Sequence, residues 1–170
     1  MSTKTLMTVE EYLRTSFEDG DCEYVDGEIV EKNMGQHDHS NIQTRILFLL
    51  LLLKDSLGLH VLGEIRMKIS SSRYRVPDIG VWLSPDIGGS VATIPPFLIV
   101  EVLSPDDRMV RVKMKVEEYL SIGVEWIWIV DPVDQTAICY SQANPAGSPC
   151  DVLRTENPKI EIPLEKVFAA

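Results

Sequence analysis

Apolar and polar positions along the chain fall into short blocks, each bounded by a cap or turn signal. Thr8 followed by Glu11 forms a capping box, which predicts a helix over about 9–16. CEYVDGEIVEK reads as two strand-like runs around Asp26-Gly27. Asp-Gly supplies the positive φ angles of a type I′ turn, so a β-hairpin is expected. GQHDHSN reads as polar and irregular, with Ser40 or Asn41 capping a helix that runs to about Leu57 and ends at Gly58. One or two strands are expected over 59–70, with SSSR as a turn. RVPDIGVWL at 75–83 and PPFLIVEVL at 95–103 read as strands. Pro105 and two aspartates open a helix over about 108–122, closed by Gly123. WIWIVD at 126–131 and TAICY are further strands, joined by a turn at Pro132 to Asp134. ANPAGSP is a loop, and one or two short strands lead to a final turn near PLEKVF. Neither a repeat nor an internal boundary is visible, so the pattern predicts one α/β domain over 1–170, with a mixed sheet and at least two packed helices.

The run ILFLLLLL, positions 46–53, is flanked by Arg45 and Lys54. It falls far short of the roughly 20 residues that span a bilayer, so no membrane span is expected. A helix apolar at every angle is buried at every angle. One side should face the sheet, and the other a further element or a second copy of the chain. A homodimer is the expectation, because a bare apolar face of that size is rare on soluble monomers and two-fold dimers are the commonest oligomers. The competing arrangement covers the far side with the N-terminal helix and hairpin of the same chain.

Composition narrows the class. The 170 residues are 45% hydrophobic and 25% charged, ordinary for a soluble globular protein and unlike a disordered one. The 16 basic and 26 acidic residues give a net charge of −10, which argues against a protein that coats nucleic acid by charge alone. A local basic groove remains open: Arg66, Lys68, Arg73 and Arg75, with Arg108, Arg111, Lys113 and Lys115, are half of the 16 cations in two short windows. Two solvated faces are the bland alternative. Cys22, Cys139 and Cys150 are an odd number, which excludes a disulfide scaffold and fits a reducing cytoplasm. No CxxC is present to hold structural zinc, and the opening MSTKTLMTVEEYLRTSFEDG lacks the apolar run of a signal peptide.

The candidate chemistry lies in charges placed among apolar neighbours. FLIVEVL is apolar on both faces, as a doubly covered strand should be, yet it carries Glu101. A buried carboxylate must be paired or must bind a metal, so the alternative to a site is a structural glutamate on a buried Arg or Lys. Asp78 in RVPDIGVWL is similarly out of place, and Pro77 beside it suggests an edge or bulge. Two carboxylates on neighbouring strands would make a hard-oxygen site for Mg²⁺ or Mn²⁺. On the following helix, Lys113 and Lys115 stand about 200° apart, so only one can face that site. The stripe Val112, Val116 and Tyr119 faces the sheet, with Lys115 on one flank and Lys113 on the other.

RVPDIGV, then LIVEVLSPDDR, then Lys115 four residues before Tyr119, then GVEWIWIVDP, resembles the Uma-two family of the PD-(D/E)XK, restriction-endonuclease-like superfamily. The hairpin EYVDGEIVE, a His-Ser pair at the start of the long helix, and PLEKVF are similar too. The resemblance covers roughly residues 8–142. It implies a restriction-endonuclease-like core, a central mixed sheet flanked by helices, preceded by an N-terminal helix and β-hairpin. It also implies an Mg²⁺-dependent endodeoxyribonuclease in which Asp78 and Glu101 bind metal, with the Val102 carbonyl as a further ligand, and Lys115 completes the catalytic set. Leu103 stands where the superfamily's usual lysine would be; the family carries it on the helix. Glu23 and His39 match family positions and are possible supporting residues. Two residues depart from the family pattern: Cys22 where it has a tyrosine, and Arg111 where an acid often precedes the lysine.

Glu64 is a further possible supporting residue, with simple strand exposure as its alternative. Arg73, Arg75, Arg108, Arg111 and Lys113 are the candidate nucleic-acid contacts. Asp106 and Asp107 read as helix N-terminal charges, and Trp126 and Trp128 as core. The expected function is hydrolysis of DNA phosphodiester bonds. The alternative from another class is a non-catalytic homodimer that binds nucleic acid or a protein through a degenerate site.

Overall fold

The protein is described by a computed structural model covering residues 6–18, 20–32 and 37–169. Thr8 caps α1 (Val9–Arg14): its side chain accepts from the Glu11 N–H while the Glu11 carboxylate accepts from the Thr8 N–H. β1 (Cys22–Val25) and β2 (Glu28–Glu31) form the expected hairpin, with Asp26 at φ 50° and Gly27 at φ 96° in the turn.

The next helix, α2 (His37–Leu52), starts three residues before Ser40, so His37, Asp38 and His39 are helical rather than irregular. The reason is in the spacing: His39, Ile42, Ile46 and Leu50 form one continuous buried stripe. Gly35 and Gln36, also expected in that loop, lie outside the described residues. The predicted all-round burial of ILFLLLLL is not reached within one chain. Phe48 is 57% and Leu52 63% exposed, and Leu51 shares that face. The N-terminal elements do not cover it, because Tyr12, Tyr24 and Tyr74 pack into a cluster of their own. α3 (Lys54–Leu57) ends at Gly58, whose φ of 66° makes the left-handed cap.

β3 (His60–Gly63), β4 (Met67–Ser70), β5 (Arg73–Arg75) and β6 (Ile79–Trp82) follow. RVPDIGVWL is therefore not one strand. It breaks over 76–78, because Pro77 has no N–H for a ladder and the chain changes sheets there. Upstream, β5 belongs to a four-stranded sheet of order β2-β1-β5-β4. Downstream lie β7 (Leu98–Val102), α4 (Met109–Ser121), β8 (Trp126–Asp131), β9 (Thr136–Ser141) and β10 (Ser148–Pro149). Together with β3 and β6 these strands build a six-stranded sheet of order β10-β9-β8-β7-β6-β3. It is mixed: β7 and β8 run parallel across the α4 crossover, and the other pairs are antiparallel. β11 (Val152–Thr155) and β12 (Ile160–Pro163) form a small ribbon before α5 (Leu164–Val167).

Strand alternation divides the core between two helices. Leu98, Val100, Val102, Trp128 and Val130 pack in one cluster with Ile42, Ile46 and Leu50 of α2. Ile99, Ile127 and Ile129 point the other way, onto Val112, Val116 and Tyr119 of α4. No acidic residue sits in the first turn of α4; Asp107 instead accepts the Ser104 N–H at 2.7 Å, so it shapes the turn that enters the helix.

The odd cysteine count argues against a disulfide scaffold and for a reducing cytoplasm, yet Cys139 and Cys150 are joined by a disulfide. The pairing of β10 with β9 brings their Cα atoms to 6.3 Å, within bridging range. That bridge removes the argument for a reducing compartment. No helix among the described residues is long and apolar enough to cross a membrane.

Candidate active site

The crossing between the two larger sheets delivers Asp78. The β6–β7 register sets Ile79 opposite Val100, so one step further Asp78 lies opposite Glu101, where the two strands part. Asp78 is 1% exposed and every part of it is held. Its Oδ2 accepts the Val102 N–H at 2.7 Å and lies 3.3 Å from His39 Nε2. The Lys32 ammonium donates to Oδ1 at 2.7 Å. Its carbonyl accepts from Gln43 Nε2 and from the Glu64 N–H, each at 3.2 Å. Burial alone would raise the Asp78 pKa; the His39 hydrogen bond and the Lys32 charge outweigh it and hold the carboxyl down at about 2.

Glu101 is buried as well, but its environment is less complete. Tyr119 donates its O–H to Oε1 at 2.6 Å, and Lys115 Nζ stands 3.8 Å from the same oxygen. Burial raises the Glu101 pKa; Lys115 offsets this in part, and the nearby Asp78 charge adds to it.

On α4, Lys115 turns toward these acids and Lys113 toward solvent. The Lys115 Nζ is anchored at 2.8 Å on Glu23 Oε1. Burial works against its charge, but Glu101 and Glu23 outweigh that and push its pKa well above the ordinary lysine range. Glu23, on β1, also accepts from Arg75 at 2.8 Å. Of the two arginines expected to line a groove, Arg75 is directed inward and half-buried Arg73 is taken up in ion pairs. The Arg75 guanidinium is buried between Glu23 and Glu118, and Arg73 pairs with Asp26 and Glu118. Arg108, Arg111 and Lys113 are exposed at the start of α4.

Glu64 holds a left-handed φ of 48° and brings its half-exposed carboxylate to 3.9 Å from Lys32. His37 is exposed beside Asp38 and does not join the site. Three contributors went unmarked in the sequence: Lys32, which sits on Asp78; Glu118, which organises the arginines; and Gln43, which ties the Asp78 carbonyl. The only available signal was a lysine directly after a strand of the hairpin.

Among the described residues no group of three or more His, Cys, Asp and Glu side chains converges as a ready metal cage. The donors on offer are two buried carboxylates and a main-chain oxygen at one strand end. That set fits Mg²⁺ or Mn²⁺, which use one or two carboxylates and keep several waters. The Lys32 ammonium against Asp78 shows that the position accepts a cation.

A crystal structure described as "a putative nuclease belonging to DUF820 from Anabaena variabilis ATCC 29413" has the same fold. The TM-score is 0.79 at 24% identity, covering 96% of this chain and 98% of that one. The restriction-endonuclease-like core implied by the sequence motifs is thus the fold observed. No curated protein matches the chain. The order of the motifs, the sheet that carries them and a match over residues 9–168 agree: the chain belongs to the Uma2 family, described as "Putative restriction endonuclease".

Proposed function

We propose that the protein is a metal-dependent endonuclease that hydrolyses DNA phosphodiester bonds at the Asp78–Glu101 site. The observation that supports this most is the pair of buried carboxylates at one strand end, with Lys115 turned toward Glu101. Asp78, Glu101 and the Val102 carbonyl are the residues that would hold Mg²⁺ or Mn²⁺. Held there, such an ion would supply Lewis-acid chemistry to a phosphoryl oxygen and to water.

The protein's own groups divide the remaining work. His39 and Lys32 hold the Asp78 carboxyl down against its burial, so that it stays ionised. Tyr119 fixes the orientation of the Glu101 carboxyl through its short hydrogen bond. Lys115 acts as a fixed ammonium facing phosphate charge; its raised pKa disfavours a role as a base. Arg108, Arg111 and Lys113 contact the DNA backbone near the site. The exposed apolar face of α2, with Phe48, Leu51 and Leu52, supports assembly as a homodimer. Light scattering at micromolar concentration tests that, with a 19.1 kDa species overturning it.

The nuclease reading is tested on plasmid and oligonucleotide substrates with Mg²⁺, Mn²⁺ or chelator. Cleavage should need the metal and should vanish in Asp78→Ala and Glu101→Ala, both of which should also bind Mn²⁺ more weakly. Cleavage that persists in chelator overturns the mechanism.

A further inference from the structure

Lys32 is a cation of the site with no place in the family pattern, and the chemistry above uses it only to hold the charge on Asp78. It follows β2 directly, its side chain is 19% exposed, and its Nζ lies 2.7 Å from Asp78 Oδ1 and 3.9 Å from Glu64 Oε1. Glu23 is already matched by Arg75 and Lys115, so Lys32 is the cation left to balance Asp78. We propose that Lys32 is a built-in counter-ion that occupies the cation position beside Asp78, and that a divalent metal binds by displacing it.

This deepens the nuclease reading and rests on it. Two cations cannot share one carboxylate oxygen in a buried site, where charges repel far more strongly than in water. One must withdraw, and the choice of side chain fits. Elsewhere the protein grips part-buried acids with arginine forks: Arg75 on Glu118, and Arg66 on Asp21. Beside Asp78 it uses lysine, a point charge on a flexible stem that breaks a single hydrogen bond when it leaves. A landing place stands next to it. Glu64, with its side chain 55% exposed, is already within 3.9 Å, and its N–H on the Asp78 carbonyl keeps it there. Glu64 thus offers Lys32 a second carboxylate to pair with once it leaves Asp78. Without metal Asp78 is thereby paired within the chain, and metal affinity is set against an internal competitor.

Two measurements test this. Calorimetric titration with Mn²⁺ should show Lys32→Met binding about tenfold more tightly than wild type. Removing a nearby positive charge would by itself tighten binding, so displacement is read in wild-type protein. Amine-reactive labelling with mass spectrometry should show Lys32 shielded without metal and several-fold more reactive at saturating Mg²⁺, with exposed Lys113 as the unchanged reference. Metal binding by wild type with no change in Lys32 labelling, or with equal or weaker binding by Lys32→Met, overturns the displacement and leaves the metal site standing. Binding by neither protein overturns both. The labelling experiment decides the matter if Lys32→Met does not fold.

Discussion

Glu23 and Glu101 flank the same lysine and are nearly equally buried, at 3% and 7% exposure, yet they sit in opposite electrostatic situations. Glu23 accepts from Arg75 and lies 2.8 Å from Lys115. Burial works against its charge, and those two cations more than repay it, so its pKa falls. Glu101 has one hydroxyl and a more distant ammonium, and its pKa rises. Burial alone therefore does not make a carboxylate reactive. At Glu101 the compensation is incomplete, which leaves charge for a ligand to satisfy. The Arg75 side of Lys115 is fully paired scaffold, and the Asp78 side is the proposed site.

The largest expected effect breaks the scaffold. Arg75→Met leaves buried Glu23 with Lys115 alone and part-buried Glu118 with Arg73 alone, and should cost about 3 kcal/mol in urea denaturation. Glu101→Gln sharpens the contrast: cleavage should disappear while the metal-free protein keeps its stability or gains about 1 kcal/mol, through relief of the Asp78–Glu101 repulsion.

The pH dependence should separate the two glutamates by sign. A depressed pKa gives stability that is present above the ordinary glutamate value of 4.5 and lost as pH falls through the folded value, so Glu23→Gln should flatten the acid limb of the stability curve. A raised pKa gives stability that is present below 4.5 and lost as pH climbs through the folded value, so Glu101→Gln should remove part of the decline on that side. Thermal melts of the metal-free variants across pH check both. The smallest effects belong to Arg108, Arg111 and Lys113, which are exposed. Alanine at each should move stability by less than about 0.5 kcal/mol and reduce the salt slope of DNA binding by about 0.9 for each phosphate no longer neutralised.

Local patterns with a physical rule behind them were legible in the sequence. The Asp26-Gly27 turn, the Thr8 capping box, the strand WIWIVD and the stripe Val112, Val116 and Tyr119 all stand where periodicity and cap chemistry put them. Asp78 and Glu101 stood out because a charge among apolar residues demands a reason. Pairings across the chain were not legible. Arg75 meets Glu118 43 residues away and Lys32 meets Asp78 46 residues away, and nothing local tells a buried arginine from one in a groove. The strand break at Val76–Asp78 was hidden because its residues look apolar enough for a strand; only the change of sheet makes Pro77 decisive. The disulfide was hidden likewise, since the β9–β10 pairing that joins the cysteines has no marker in their number.

The change of sheet at Pro77 also bears on when the site comes into existence. Glu23 and Arg75 lie in the four-stranded sheet, while Glu101 lies in the six-stranded one and Lys115 on the helix crossing it. During synthesis the N-terminal hairpin emerges first and can form from local contacts. Asp78 then waits for partners drawn from sequence positions 32 to 102, each requiring a long loop to close. A nascent chain that has released only its first hundred residues carries the scaffold arginine but neither Glu101 nor Lys115. The proposed set of Asp78, Glu101 and Lys115 can therefore come together only after residue 115 has been made.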